Sequence, residues 1–314
     1  MLSIIINRKL AIGSAISVTG RLVPSKGSQQ FTELLCESLH ILGDCDPKNY
    51  IIGNMIPDDL HLDYLREHVH LRSRVRYFQS LARLRSEFHN AIQIFMKQED
   101  FLQVTSPIIT ANDCEGGGEC FTLTPINWSN PEKEYFGRPT FLTVSGQLHL
   151  EAMASALSRV YTVGPIFRAE KSMSPKHLSE FLMLEAEEAF IFSLDHLLDR
   201  VESMCKFFAF YLERNCHEEV QYLREQNGNY TFGEEISNGK YVRITYKDAV
   251  NILEKTERFS EIKRARIGDN EIVNFNAEME RTLVEAMNNR PVFVTHYPMK
   301  LKPFYMKCDS YDQV

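Results

Sequence analysis

The strongest pattern in the chain is helical. Leu81, Leu84, Phe88, Ala91, Ile92 and Phe95 recur at steps of three and four. That spacing predicts one long helix from Arg74 to about Gln98 with a single buried stripe. A second stripe holds Leu194, Leu197, Leu198, Val201, Met204, Cys205, Phe208, Tyr211 and Leu212. It predicts a helix over 193–213, with Ser193 as N-cap and Asp195 in the first turn. Gly146 to Ser158 reads as a shorter helix with Leu150, Met153 and Leu157 as its apolar line. Two more are expected near 246–255 and 276–287.

Between the helices, extended runs predict strands at 101–109, 141–144, 160–168, 181–190 and 291–297. The first carries Pro107, and proline in a strand argues for an edge or a subunit border. The runs at 160–168 and 181–190 are joined by a charged loop and read as an antiparallel hairpin. Residues 1–45 read as about four short strands (Ile4–Ile6, Ala15–Val18, Phe31–Leu35, Leu39–Leu42) broken at Gly13, Gly20, Pro24 to Gly27 and Gly43. Residues 46–73 read as a polar linker. Strand runs followed by helices on antiparallel strands predict an α+β class rather than a doubly wound α/β fold.

Composition narrows the function. No apolar run approaches the roughly 18–20 residues that span a bilayer, so no membrane association is expected. Seven scattered cysteines without a C-x-x-C argue against a disulfide framework or zinc ribbon and suit a reducing compartment. His68-x-His70 lacks a third ligand at metal-site spacing. The net charge of −7 does not announce a nucleic-acid binder, but residues 1–110 hold 12 Lys+Arg against 11 Asp+Glu, so the acidity lies in the remainder. The first acidic residue is Glu33, after four cations, as in a mitochondrial transit peptide; strands are the favoured reading of this stretch. Neither G-x-G-x-x-G nor a P-loop motif is present, which leaves Rossmann and P-loop nucleotide sites unsupported.

Three clusters carry candidate chemistry. Along Phe181-Leu-Met-Leu-Glu-Ala-Glu187, alternation sends Leu182, Leu184 and Ala186 to one face and Phe181, Met183, Glu185 and Glu187 to the other. An aromatic ring and two carboxylates make a poor core and a suitable site floor. Phe167-Arg168-Ala-Glu170 ends the opposite strand, and the loop adds Lys171, Lys176 and His177. A fixed arginine, a cationic loop and an aromatic platform suit a polyphosphate bearing a flat base. The second cluster, Ser145-Gly-Gln147-Leu-His-Leu-Glu151, lies at a strand-to-helix junction. The third, Asp113-Cys-Glu115-Gly-Gly-Gly-Glu119, is an acidic glycine loop in which Glu115 could grip an ammonium group. A routine helix start and a bare surface loop are the plain readings of the last two.

In order along the chain, these segments resemble the class II aminoacyl-tRNA synthetases of the aspartate, asparagine and lysine subgroup. Phe101 to Ile109 is similar to motif 1, with Pro107 at the dimer interface. Phe167 to Glu170 and His177 to Glu185 are similar to motif 2, and Asp113 to Glu119 to the flipping loop. Residues 1–45 resemble the last strands of an OB-fold anticodon domain. Phe141 to Glu151 and residues 291–306 resemble the asparaginyl enzymes of bacterial and mitochondrial type. Leu150 stands where aspartyl enzymes carry a lysine for the substrate carboxylate.

The resemblance implies a class II catalytic domain over 74–314, built on an antiparallel sheet flanked by helices. It implies ATP and Mg2+ as cofactors, asparagine and tRNA(Asn) as further partners, and a homodimer. Arg168 would hold the α-phosphate and act in catalysis. Glu170, Lys176, His177 and Phe181 would complete the ATP site. Glu115, Ser145, Gln147, Glu151 and Glu187 would form the amino-acid site. The mitochondrial matrix is the expected location, with the cytoplasm as alternative. Nothing after Lys307 resembles motif 3 or the family's magnesium ligands, so the chain is expected to be a fragment with reduced or no activity. Lys176 and Lys307 replace family arginines and Met279 a family histidine. The alternatives are an aspartyl enzyme, an amide-forming relative, and a non-catalytic paralogue that binds through its dimer surface.

Overall fold

The computed structural model describes residues 10–28, 30–52, 62–112, 120–126, 128, 130, 133–170, 177–228, 232–256, 265–267 and 270–308. The chain divides into two compact units, Met1–Ala82 and Arg83–Val314.

In the first unit, β1 (Ala15–Pro24) and β2 (Thr32–Gly43) form an antiparallel hairpin. The runs expected as separate strands at 31–35 and 39–42 are one strand. No turn residue separates them, so pairing continues through Cys36 to Ser38. Gly20 does not break β1 either. It sits at a register shift, where an added Cβ would lie 2.1 Å from the Leu35 carbonyl oxygen. The expected strand at Ile4–Ile6 lies outside the described residues. The segment expected as linker carries two short helices, α1 (Leu62–Glu67) and α2 (Val69–Arg72). Leu65 on α1 is fully buried. Arg74 donates to the Gly13 carbonyl at 3.1 Å and lies over the Tyr50 ring.

The long helix, α3 (Arg76–Gln98), forms as its apolar spacing requires. Its stripe buries Ala91, Ile92, Phe95 and Met96 against Phe101, Tyr161 and Phe208. Asp100 takes a left-handed conformation at φ 59, which turns the chain back so that Phe101 joins this core. The long strand expected at 101–109 is not formed. It shortens to β3 (Leu102–Gln103) and β4 (Ile109–Thr110), with Pro107, which has no N–H to give a ladder, in the break between them. β5 (Phe141–Leu142) pairs antiparallel with β4, and α4 (Gln147–Leu157) follows.

β6 (Arg159–Phe167) and β7 (Glu180–Glu188) form the antiparallel hairpin, in register from Arg159 opposite Glu188 to Phe167 opposite Glu180. β3 joins β6 on its other edge, in parallel. After it come α5 (Leu194–Asn215), α6 (His217–Gln226) and α7 (Phe232–Asn238). Then β8 (Val242–Thr245) leads into α8 (Tyr246–Glu254), β9 (Ala265–Ile267) pairs with β10 (Asn270–Ile272), and α9 (Ala277–Ala286) leads to β11 (Val292–Thr295). β11 pairs with β8 in parallel, which a crossover through helices allows. Thr245 and Asn276 cap α8 and α9 by accepting backbone N–H groups. Ala249, Leu253 and Leu283 form a second core here, and Met279 packs on it as an ordinary apolar residue.

The architecture is mixed α and β with small sheets. The expected antiparallel sheet is represented by the β6–β7 pair, but β3–β6 and β8–β11 are parallel. One apolar line also differs from expectation. On α4, Leu150 and Ala154 are buried, whereas Met153 and Leu157 are exposed. Beneath it Leu150 and Ala154 meet Val160, Val104 and Ala189, a surface narrow enough to be covered by one i, i+4 pair.

Candidate active site

The β6–β7 hairpin has two working faces. Tyr161, Val163 and Leu184 pack with Phe95 and Phe208 and bind the sheet to α3 and α5. Leu182 and Ala186 share that face but stay exposed, so the expected burial holds at Leu184 alone. The opposite face carries Phe181, Met183, Glu185 and Glu187, all half-buried. From Phe181 to Glu187 this floor runs about 20 Å at strand rise. Gly164 lies opposite Met183 at mid-floor, and a Cβ built there would meet nothing within 4 Å. The floor is therefore open at its centre.

At one end, Arg168 continues β6, its N–H bonded to the Ser179 carbonyl at 3.1 Å. Its guanidinium carbon lies 5.8 Å from the Phe181 ring centre. Glu170 sits 3.9 Å from the Arg168 guanidinium and 3.4 Å from His177 Nε2. An aromatic plane, a cation and an exposed imidazole thus converge at the mouth of the hairpin. Lys176 lies outside the described residues.

At the other end, the strand-to-helix junction is fastened to the floor. Thr143 donates its N–H to Ile108 and receives one from Phe167 on its carbonyl, at 2.8 and 3.0 Å. Ser145 Oγ donates to Glu185 Oε1 at 2.5 Å, and the Gly146 N–H reaches both carboxylate oxygens of Glu185 at 2.9 and 3.1 Å. Ser145 Oγ also accepts the Gln147 N–H at 3.1 Å. Gly146 is closely approached by side chains, since a Cβ would lie 2.8 Å from Ser106 Oγ and 3.1 Å from Glu185 Oε2. Gln147 Nε2 donates to Glu151 at 2.8 Å, one helical turn on. Glu151 and Glu187 border a concavity of about 310 Å3 with Ala154 and Ser155. Glu187 is raised from 4.5 to about 7, first by burial and then by the charges of Glu151 and Glu185.

The structure therefore brings Arg168, Glu170, His177 and Phe181 together at one end. It brings Ser145, Gln147, Glu151 and Glu187 together at the other. Glu115 lies outside the described residues, and Pro107 stands between β3 and β4. Glu185 was legible on the floor by alternation, but not as the anchor of a junction 40 residues earlier in the chain. Glu188 was missed. Its parity puts it on the far face, where it meets Arg159 at 2.7 Å, Arg200 at 3.2 Å and His196 at 3.3 Å. Burial pushes the Glu188 carboxyl up, and the hydrogen bonds and charge of Arg200, with His196 and Arg159, outweigh it and bring it below the usual range. Arg200 also pairs with Glu99. This network clamps the open end of the hairpin and so holds Glu187 on the floor. Among the described residues no group of three or more His, Cys, Asp or Glu side chains could hold a metal ion.

The profile described as tRNA synthetases class II (D, K and N) matches residues 60–314. An asparagine–tRNA ligase of Microcystis aeruginosa is 39% identical over 308 residues, covering 96% of this chain and 66% of that protein. A mitochondrial asparagine–tRNA ligase of Schizosaccharomyces pombe is 39% identical over 324 residues, covering 98% and 68%. The crystal structure of asparaginyl-tRNA synthetase from Pyrococcus horikoshii complexed with asparaginyl-adenylate superposes with a TM-score of 0.81 at 26% identity, covering 99% of this chain and 65% of that one. The chain thus spans about two thirds of the length of the relatives it matches. With a floor, an arginine–aromatic end and a carboxylate end in the order its motifs predict, this chain belongs to the class II tRNA synthetases of the D, K and N group.

Proposed function

We propose that the protein is an asparagine–tRNA ligase, activating asparagine with ATP to asparaginyl-AMP and passing it to the terminal adenosine of tRNA(Asn). The observation that carries this reading is the floor of about 20 Å at strand rise with an arginine–aromatic end and a carboxylate end. Adenine stacks on Phe181, beside Glu170. Arg168 takes the α-phosphate and spreads the charge that develops as the asparagine carboxylate attacks phosphorus and pyrophosphate leaves. His177, with Lys176 beside it, faces the outer phosphates. Asparagine lies over Gly164 towards Glu185. Its ammonium group meets Gln147 and Glu115, and Ser145, Glu151 and Glu187 form the walls. A half-buried carboxyl poised near neutrality suits a neutral amide better than a second carboxylate, which favours asparagine over aspartate. No protein nucleophile is needed, because positioning and charge stabilisation supply the catalysis.

Several further assignments belong to this reading. Residues 1–45 form part of an OB-type anticodon module, 46–73 a hinge and 74–314 the catalytic domain. Pro107 lies at a homodimer interface, and the location is the mitochondrial matrix, for which the fission-yeast mitochondrial relative is the support. Calorimetric titration with non-hydrolysable sulfamoyl analogues of asparaginyl- and aspartyl-adenylate tests the core of the proposal. The asparaginyl analogue is expected to bind and the aspartyl analogue to bind far more weakly. Preference for the aspartyl analogue would identify an aspartyl enzyme, and binding of neither would sink the reading.

A further inference from the structure

Two arginines and two glutamates close a ring on the far face of the hairpin, at its carboxylate end. Arg159 Nε donates to Glu188 Oε1 at 2.7 Å, and its Nη1 donates to the Glu99 carbonyl at 3.0 Å. The Arg200 fork takes both oxygens of Glu188, with Nε at 3.2 Å from Oε2 and Nη2 at 3.3 Å from Oε1. Its Nη1 reaches the Glu99 carboxylate, and its guanidinium carbon lies 5.7 Å from the centre of the Phe101 ring. His196 Nε2 approaches Glu188 at 3.3 Å. The ring thus joins the end of α3, both strands of the hairpin and α5. Its cations and carboxylates balance, and the Arg200 and Glu188 side chains are only 18% and 9% exposed.

Glu188 follows Glu187 in the chain, and both border the open concavity that Glu151 also lines. The floor already gathers Glu151, Glu185 and Glu187, and the first two add like charge to the third. One more free carboxylate here would deepen that repulsion. We propose that Arg200 is a positioning residue for the amino-acid end: it holds the Glu188 carboxylate on the far face and so keeps its charge from Glu151, Glu187 and the bound amino acid. The effect on the amino acid rests on the reading of the floor as an adenylate site; the effect on Glu187 does not.

The test compares Arg200→Met, Arg200→Met/Glu188→Met and Leu253→Ala in the full chain, with circular dichroism to check folding. Arg200→Gln is the milder second variant and should shift in the same direction as Arg200→Met. Leu253 is fully buried in the second core, so its truncation destabilises without touching the ring. In a carbon-13 titration, the Glu187 midpoint should rise by about half a unit or more in Arg200→Met. It should return to the parent value in the double variant and stay there in Leu253→Ala. In calorimetry, Arg200→Met should weaken the asparaginyl-adenylate analogue about fivefold or more and change AMP, which reaches only the Arg168 end, by less than about twofold. A midpoint that stays put in both single Arg200 variants, moves equally in Leu253→Ala, or stays raised in the double variant would each overturn the proposal. So would equal weakening of the two ligands. If the parent binds neither ligand, the adenylate reading fails, and the Glu187 midpoint still decides the role of Arg200.

Discussion

Glu187 gives the sharpest test of the candidate site. Its carboxyl stands at about 7 in the folded protein against an ordinary 4.5. Below pH 4.5 the group is protonated in both folded and unfolded chains and costs nothing. Between pH 4.5 and 7 the unfolded chain ionises it while the folded chain keeps the proton, so stability falls as pH rises. Above 7 the loss is complete. The full shift corresponds to about 3 kcal/mol, and solvent screening of this half-exposed group reduces it to about 1–2 kcal/mol. Glu187→Gln keeps the shape of the protonated acid and removes the loss. Melting curves of the variant and the parent should coincide near pH 4. They should separate through pH 7 until the variant melts about 2–6 °C higher at pH 8, given the scale of a 150–250-residue unit. Carbon-13 titration of the Glu187 carboxyl should show the same midpoint, moving down in Glu151→Gln, which removes the second cause. A variant equally or more unstable at pH 8 than at pH 4 would refute the physical account of this group.

Three other outcomes follow from the geometry. Leu150→Ala opens a hole under α4 at a fully buried position and should cost about 2–5 kcal/mol in urea denaturation. Arg200→Met leaves Glu188 short of a partner in the clamp and should cost about 3 kcal/mol at neutral pH, with part recovered in Arg200→Met/Glu188→Met. Gly146→Ala forces a Cβ to within 2.8 Å of Ser106 Oγ; it should weaken the asparaginyl-adenylate analogue by about tenfold or more, measured by calorimetry, while changing the melting temperature little.

Much of this was legible in local pattern. The three-and-four spacing from Leu81 to Phe95 predicts α3 where it forms, but of the expected stripe only Ala91, Ile92 and Phe95 are buried, while Leu81 and Phe88 stay exposed. Alternation along Phe181 to Glu187 sorts the floor correctly because the period of a strand is a local property. The ordered motifs predict Arg168, Glu170, His177 and Phe181 at one end of one hairpin, and the structure brings them together there. Local pattern misled where a partner surface decides. Met153 and Leu157 continue the apolar line of α4 yet remain exposed, because the apolar surface beneath, Val160 with Val104 and Ala189, is already covered by Leu150 and Ala154. Pro107 weakens its own strand, but only the neighbours of β3 and β4 determine that each keeps two residues.

The sequence by itself determined α3, α4, α5, α8 and α9, the hairpin, the side-chain parity along it and the chemical character of the floor, since these depend on neighbours within a few residues; α1, α2, α6 and α7 were not legible in it. Tertiary structure alone decided that Glu185 anchors Ser145 and Gly146 from 40 and 39 residues away. It also decided that Glu188 is clamped by Arg159 and Arg200, and that Glu187 loses enough water and meets enough like charge to titrate near neutrality. Burial and Coulomb interactions depend on distance in space, and no spacing along a chain encodes them.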